Sequence, residues 1–128
     1  MNPKYQIAMA IAVGAALGAA AVQGLHAQAK PKAYIITESE LLDPAALATY
    51  LPKAQAAVRA AGGTPGIIAT GKVIAVIGDA PKRIGASEWP SAEQAQAYLK
   101  SAERKVLDSE RDKAFKTTRQ FIVERPAN

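Results

Sequence analysis

Apolar residues recur along this chain with two different periods, which predict strands in some segments and helices in others. At Ala33–Thr37 they form a short β-branched run that is typical of a strand. From Leu47 to Val58 they recur every three or four residues, as on one face of a helix. The predicted elements are, in order, a strand at Ala33–Thr37, a helix from Asp43-Pro44 to Gly62-Gly63, two short runs at Ile67–Ala69 and Lys72–Ile77 that form a hairpin or one bent strand, a strand at Arg83–Trp89, a helix from Ser91, a helical stretch at Glu103–Lys116, and a strand at Thr118–Glu124.

The first helix carries signals for both of its ends. Asp43 can accept the free backbone N–H groups of a first turn, and Pro44 suits the first helical position. Gly62 can take the left-handed conformation that ends many helices. Pro52 lacks the N–H that would bond to Ala48, so we expect a kink or a restart of the helix there.

The order strand, helix, strand or hairpin, strand, helix, strand is that of the ferredoxin-like split βαβ fold. We therefore predict an α+β sandwich with the helices on one face of an antiparallel sheet. Alternation in the first strand puts Tyr34, Ile36 and Glu38 on one face, and Ile35 and Thr37 on the other. The face without helices would be bare, and a bare apolar face is normally buried. We expect a second copy of the chain to cover it, which makes a homodimer.

The first 29 residues have the features of a cleavable secretory signal peptide. One positive charge, at Lys4, precedes an apolar and glycine run at Ile7–Val22. Ala27 and Ala29 occupy the small-residue positions of a cleavage site, so we predict cleavage after Ala29 and a mature domain of residues 30–128. This domain would be periplasmic or secreted from a bacterium, without stable membrane insertion. The alternative is an uncleaved anchor, for which the run is shorter than the roughly 20 residues that span a membrane.

Charge and composition narrow the chemistry. The 16 Lys and Arg and the 11 Asp and Glu residues are interspersed, without the clustered basic patch and stacking aromatics of a nucleic-acid-binding face. The chain has no Cys, and its one His, His26, lies in the predicted signal. We therefore expect no disulfide, no cofactor, no metal site of the common zinc or copper type, and no Ser-His-Asp or Cys-His pair in the mature domain.

Several short motifs occur in a recognisable order after residue 30. They are Ala33–Glu38, Asp43-Pro44, Tyr50–Ala54, Ala61–Gly63, Gly71–Ala75, Ala80–Arg83, Glu88–Ser91 and Arg111–Ala114. The ordered set resembles the bacterial domain-of-unknown-function family 1330 over nearly the whole mature chain. The resemblance implies a dimeric α/β-barrel and no particular activity. At Ile84–Ser87 the chain departs from the family's run of β-branched residues, and Gly85 in this weak strand would mark the close approach of a neighbour.

Two carboxylates are the candidate catalytic residues. Glu38 and Glu88 lie at the ends of two strands that are neighbours in the predicted fold. Beside one apolar cavity, their pKa values would be pushed apart, so that one acts as an acid and the other as a base. The alternative is that both are solvated strand ends or pair with Arg111, Arg119 or Lys53.

Four further residues are candidate ligand-binding residues: Tyr50, Trp89, Arg111 and Arg119. Tyr50 could direct its hydroxyl into a cleft, and Trp89 could stack on a ligand. The two arginines could each bind an anion through two hydrogen bonds. The alternatives are a core position for Tyr50, a structural plug before Pro90 for Trp89, and solvated or ion-paired surface positions for the arginines.

Three functions are compatible with these features. The first is an exported dimer that binds a small molecule between its sheets. The second is a cofactor-free enzyme, of the monooxygenase or isomerase type, that acts on a small organic compound with Glu38 or Glu88 moving protons. The third is a structural or partner-binding module, which predicts no enclosed cavity.

Overall fold

A central strand of nine residues organises the fold. In this computed structural model, the structure describes residues 30–68 and 71–127, so the predicted signal with Ala27 and Ala29 lies outside the described residues. The described elements belong to the unit Pro31–Asn128. They are β1 (Ala33–Leu41), α1 (Pro44–Ala60), β2 (Thr64–Ile68), β3 (Arg83–Trp89), α2 (Ala92–Lys100), α3 (Ala102–Val106), α4 (Asp108–Ala114) and β4 (Phe115–Glu124).

The four strands form one antiparallel sheet in the order β2-β3-β1-β4. This order, with the helices packed on one face, is the ferredoxin-like arrangement that the element order predicts. The sheet of a single chain is not closed into a barrel, because β2 and β4 are its two edges. A bulge between Glu38 and Ser39 shifts the register of the β1–β4 pair.

Both predicted ends of α1 are confirmed. The Asp43 carboxylate accepts the backbone N–H groups of Ala45 and Ala46, at 2.9 and 3.3 Å. At the other end, Gly62 has a φ of 94°, which is the left-handed conformation that glycine takes without a steric cost. The N–H of Gly63 then bonds to the Val58 carbonyl at 2.9 Å, so the last turn is closed by a Schellman motif.

The predicted restart at Pro52 does not occur, since α1 is one continuous helix of 17 residues. Pro52 and Ala48, whose carbonyl loses its helical partner, are both exposed. Water can therefore satisfy the orphaned carbonyl, and the cost of the proline is smaller than it would be in a buried turn.

The predicted end of the last helical stretch, at Lys116, and the predicted start of the last strand, at Thr118, are both wrong. The helical stretch at Glu103–Lys116 is divided between α3 and α4, and it ends before Phe115, where β4 begins. Phe115 and Lys116 pair with β1, opposite Leu41 and Glu40. Pairing along the sheet therefore overrides the local helical pattern.

The run Lys72–Ile77 forms no strand, contrary to prediction, while β2 begins at Thr64. Both edges of β3 are occupied, by β1 and β2, and no described strand pairs with the run. Its side chains at Ile74, Val76 and Ile77 are largely exposed.

The core consists of two clusters. The first contains Ile35, Val58, Trp89, Ala95 and Tyr98, and the second contains Tyr50, Ala114 and Phe115. Each cluster joins residues of the sheet to residues of the helices, so both fix the distance between the two layers.

Candidate ligand-binding site

A cavity of about 200 Å³, partly open to solvent, lies between the sheet and the helices. Ile35 and Val58 of the first core cluster line it, and so do Tyr50 and Phe115 of the second. Protein interiors leave few voids larger than a water molecule, so a gap of this size between two packed clusters is the strongest candidate for a functional site.

Alternate residues of β1 and β3 form the sheet wall of the cavity. The register places Thr37 opposite Gly85 and Ser39 opposite Arg83. A Cβ atom built on Gly85 meets no other atom within 4 Å. Gly85 therefore marks open space rather than the predicted close approach of a neighbour, and its missing side chain contributes to the volume of the cavity.

Two tyrosines of the helical layer line the cavity, and burial raises the pKa of both hydroxyls. The ring of Tyr50 meets Phe115 edge to face, with the ring centroids 5.6 Å apart. The positive charge of Arg104 acts in the opposite direction on the pKa of Tyr50 and of Tyr98, but burial is the larger cause. Both hydroxyls are therefore protonated at neutral pH, and each can donate a hydrogen bond.

The helices α3 and α4 bring two arginines to the cavity, and both are ion-paired. Arg104, whose side chain is only 9% exposed, donates to Asp108 Oδ1. Arg111 donates to the same oxygen at 2.9 Å and to Asp112 at 2.9 Å. The predicted residue Arg111 thus reaches the cavity, and the predicted ion-paired state also holds for it.

A third arginine, Arg83, enters the cavity from the start of β3. Its guanidinium carbon lies 5.9 Å from the centre of the Phe115 ring, within the range of a cation–π contact. Burial lowers the pKa of Arg83. Among the described residues no carboxylate pairs with it, and the described lining of the cavity contains no Asp or Glu. The cavity is therefore electropositive.

Glu38 and Arg119 lie away from this cavity, on the face of the sheet that the helices leave open. Arg119 donates to both carboxylate oxygens of Glu38, at 2.6 and 2.9 Å. This ion pair raises the pKa of Arg119. The alternative prediction, in which Glu38 pairs with Arg119, is the arrangement found.

Glu88 is on the same open face, where it accepts a hydrogen bond from Lys32 at 2.8 Å. This bond holds the pKa of the Glu88 carboxyl below its usual range. Glu88 lies opposite Tyr34, four positions along β1 from Glu38, which corresponds to about 13 Å. The two carboxylates are therefore on neighbouring strands, as predicted, but the structure does not bring them together at one cavity.

Trp89 is fully buried and is not part of the cavity lining. Its ring stacks on Tyr98 with a centroid distance of 4.9 Å, and its indole N–H donates to the Ser87 hydroxyl at 2.9 Å. A Cβ atom on Gly63 would lie 2.8 Å from the indole ring. The structure thus gives Trp89 the alternative predicted for it, a structural position at the end of β3.

Sequence reasoning missed Arg83, Gly85 and Arg104 as residues of the site. The period of two along β3 was the available signal for the first two, because it places Arg83, Gly85 and Ser87 on the face of Trp89. Arg104 gave no such signal, since it stands between the charged residues Glu103 and Lys105 and has the pattern of a surface position.

Within residues 30–68 and 71–127, no group of His, Asp or Glu side chains is arranged to hold a metal ion. In the same part of the chain, no helix has both the length and the apolar character needed to cross a membrane.

The fold and the cavity define the class: a small ferredoxin-like α+β domain with an arginine-lined cavity between its sheet and its helices. The chain belongs to the family described as Domain of unknown function (DUF1330), whose sequence pattern matches residues 32–125. This match confirms the resemblance that the ordered motifs indicate.

Two solved structures share the fold, and both are of one protein. A protein of unknown function from Rhodopseudomonas palustris has a TM-score of 0.59 and 14% identity, over 84% of this chain and 92% of that chain. The methylated form of that protein has a TM-score of 0.56 and 14% identity, over 83% of this chain and 89% of that chain. A protein from Bacteroides fragilis, described as dimeric and ferredoxin-like, has a TM-score of 0.41 and 11% identity, over 73% of this chain and 94% of that chain. At 14% identity, the likeness to the first two structures concerns the fold alone. A search of curated proteins gave no match.

Proposed function

We propose that this protein binds a small organic molecule in the cavity between its sheet and its helices. The cavity of about 200 Å³ is the observation that carries the proposal. An apolar cavity of about 150 Å³ is large enough to hold benzene, so the volume suits a molecule with one small ring or a short branched chain. The proposal places the ligand within each chain, and not between the sheets of two chains.

Binding is better supported than either alternative function. The enzyme hypothesis requires Glu38 or Glu88 beside the ligand, whereas both carboxylates are paired with cations on the opposite face of the sheet. The purely structural hypothesis predicts no enclosed cavity, and it gives no reason for the partly open space of about 200 Å³ between the two core clusters.

The variant Gly85→Val tests the cavity directly. Valine suits a strand, and its isopropyl group would occupy space in which Gly85 has no neighbour within 4 Å. We expect at least a tenfold loss of affinity for a neutral aromatic probe, benzamide, measured by ligand-observed NMR. Unfolding in urea should show unchanged or higher stability, because a strand glycine is itself destabilising by roughly 0.5–1 kcal/mol.

The matched control is Gly71→Val, at an exposed glycine outside the cavity lining, where a Cβ atom also meets no neighbour. This variant should bind benzamide like the wild type. The proposal would be rejected if the wild-type protein bound neither benzamide nor benzoate. It would also be rejected if the Gly85→Val variant bound benzamide as tightly as the wild type.

We further propose that the protein is exported and acts as a homodimer. Export is supported by the apolar run at Ile7–Val22 and by Ala27 and Ala29. Dimerisation is supported by the open sheet face, where Phe121 and Val123 are 40% and 42% exposed.

The site of cleavage is tested by the intact mass of protein produced in an exporting bacterium. We expect a chain that begins at Lys30. Replacing Ala27 by phenylalanine removes a small-residue position, so this variant should retain its first 29 residues. A wild-type chain that keeps these residues would contradict the proposal and favour an uncleaved anchor.

A further inference from the structure

Three arginines reach the cavity, and the described lining has no carboxylate. Arg104 and Arg111 are partly neutralised by their ion pairs with Asp108, which does not line the cavity, and Arg111 also pairs with Asp112. Arg83 has no such partner among the described residues. Taking a cation out of water without a counter-ion is costly, so a half-buried guanidinium favours any anion that can reach it.

Arg83 has a polar and an aromatic neighbour, Ser39 and Phe115. Ser39, which is buried, lies opposite it in the β1–β3 register and also lines the cavity. The centre of the Phe115 ring lies 5.9 Å from the guanidinium carbon, which is within the range of a cation–π contact. An anion at this point would meet the planar donors of an arginine, which match the two oxygens of a carboxylate.

Apolar side chains form part of the rest of the lining, with Ile35, Val58 and Leu99 among them. An inorganic anion would leave these walls without a partner, whereas an organic acid would use both the walls and the charged end. The volume of about 200 Å³ limits the size of the organic part.

We infer that the cavity takes a small organic carboxylate, whose carboxylate group is bound by Arg83 and whose apolar body packs between the sheet and the helices. This inference rests on the proposed function and specifies the class of its ligand. Arg104 and Arg111, each ion-paired with Asp108, line the rest of the site and are not the primary contacts of the carboxylate.

The test compares two probes of nearly the same shape, benzoate and benzamide, which differ in charge. We expect the wild-type protein to bind benzoate at least tenfold more tightly than benzamide, as measured by NMR titration at low salt. Arg83→Gln should remove this preference and leave the affinity for benzamide within about twofold. Arg83→Lys keeps the charge but loses the planar pair of donors, so it should retain only part of the preference.

The matched control is Arg59→Gln, which removes the same charge from an exposed position of α1 outside the cavity. It should keep the full preference for benzoate, which separates a local contact from the effect of net charge. Far-UV circular dichroism verifies that each variant is folded.

The outcomes separate the inference from the proposed function. If benzamide binds and benzoate binds no more tightly, or if folded Arg83→Gln and Arg83→Lys variants both keep the preference, the inference is overturned while the cavity remains a binding site. If neither probe binds to the wild-type protein, the proposed function itself fails and the inference falls with it.

Discussion

Replacing Trp89 by alanine is expected to cost roughly 3–5 kcal/mol of stability, which is the usual range for a large aromatic residue in a core. Trp89 is the one large side chain that is completely buried among the described residues. It stacks on Tyr98 and fills the space that Gly63 leaves open. A domain of about 100 residues has a free energy of unfolding of roughly 5–15 kcal/mol, and small domains lie toward the lower end. The variant should therefore be largely unfolded or close to it.

Urea unfolding followed by far-UV circular dichroism measures this loss. The matched variant is Trp89→Phe, which keeps an aromatic ring against Tyr98 but loses the hydrogen bond to Ser87 and part of the buried surface. We expect it to remain folded, with a smaller loss of stability. A Trp89→Ala variant that kept wild-type stability but lost affinity for benzoate or benzamide would instead assign Trp89 to ligand binding.

Local chemistry explains which parts of the fold could be predicted from the sequence. The start of α1 at Asp43 and its end at Gly62 are each set by one residue with a specific backbone role. The strand Arg83–Trp89 was also predicted with its observed bounds. The end of α4 was not, because Phe115 is extended only by virtue of its pairing with Leu41, which is distant in sequence.

The candidate site was less predictable than the fold. Alternation correctly separated Ile35 and Thr37 from Ile36 and Glu38. Alternation does not indicate which of the two faces carries a cavity. The prediction that Glu38 lies beside a cavity therefore chose the wrong face. The cavity arises because two core clusters leave a gap, and the distance between clusters is a property of tertiary packing that no local pattern contains.

The face that carries Glu38 has the features of a protein interface. The register brings Ile36 beside Phe121 and Tyr34 beside Val123, which forms an apolar centre. The ion pairs of Glu38 and of Glu88 lie on the same face and form a polar boundary, and an apolar core with a polar rim is the usual anatomy of an interface. A second copy of the same patch is the partner that we propose.

Replacing Phe121 by aspartate is therefore expected to convert a dimer into a monomer. A symmetric dimer uses the same patch from both chains, so one substitution places two unpaired carboxylates in the interface. Size-exclusion chromatography with light scattering should give twice the chain mass for the wild type and the single chain mass for the variant. Ala56→Asp adds the same charge to an exposed position of α1 and should remain dimeric. A monomeric wild-type protein would show that the open face has another partner or none. A dimeric Phe121→Asp variant would show the same, because an aspartate at the centre of an apolar interface cannot be accommodated at low cost.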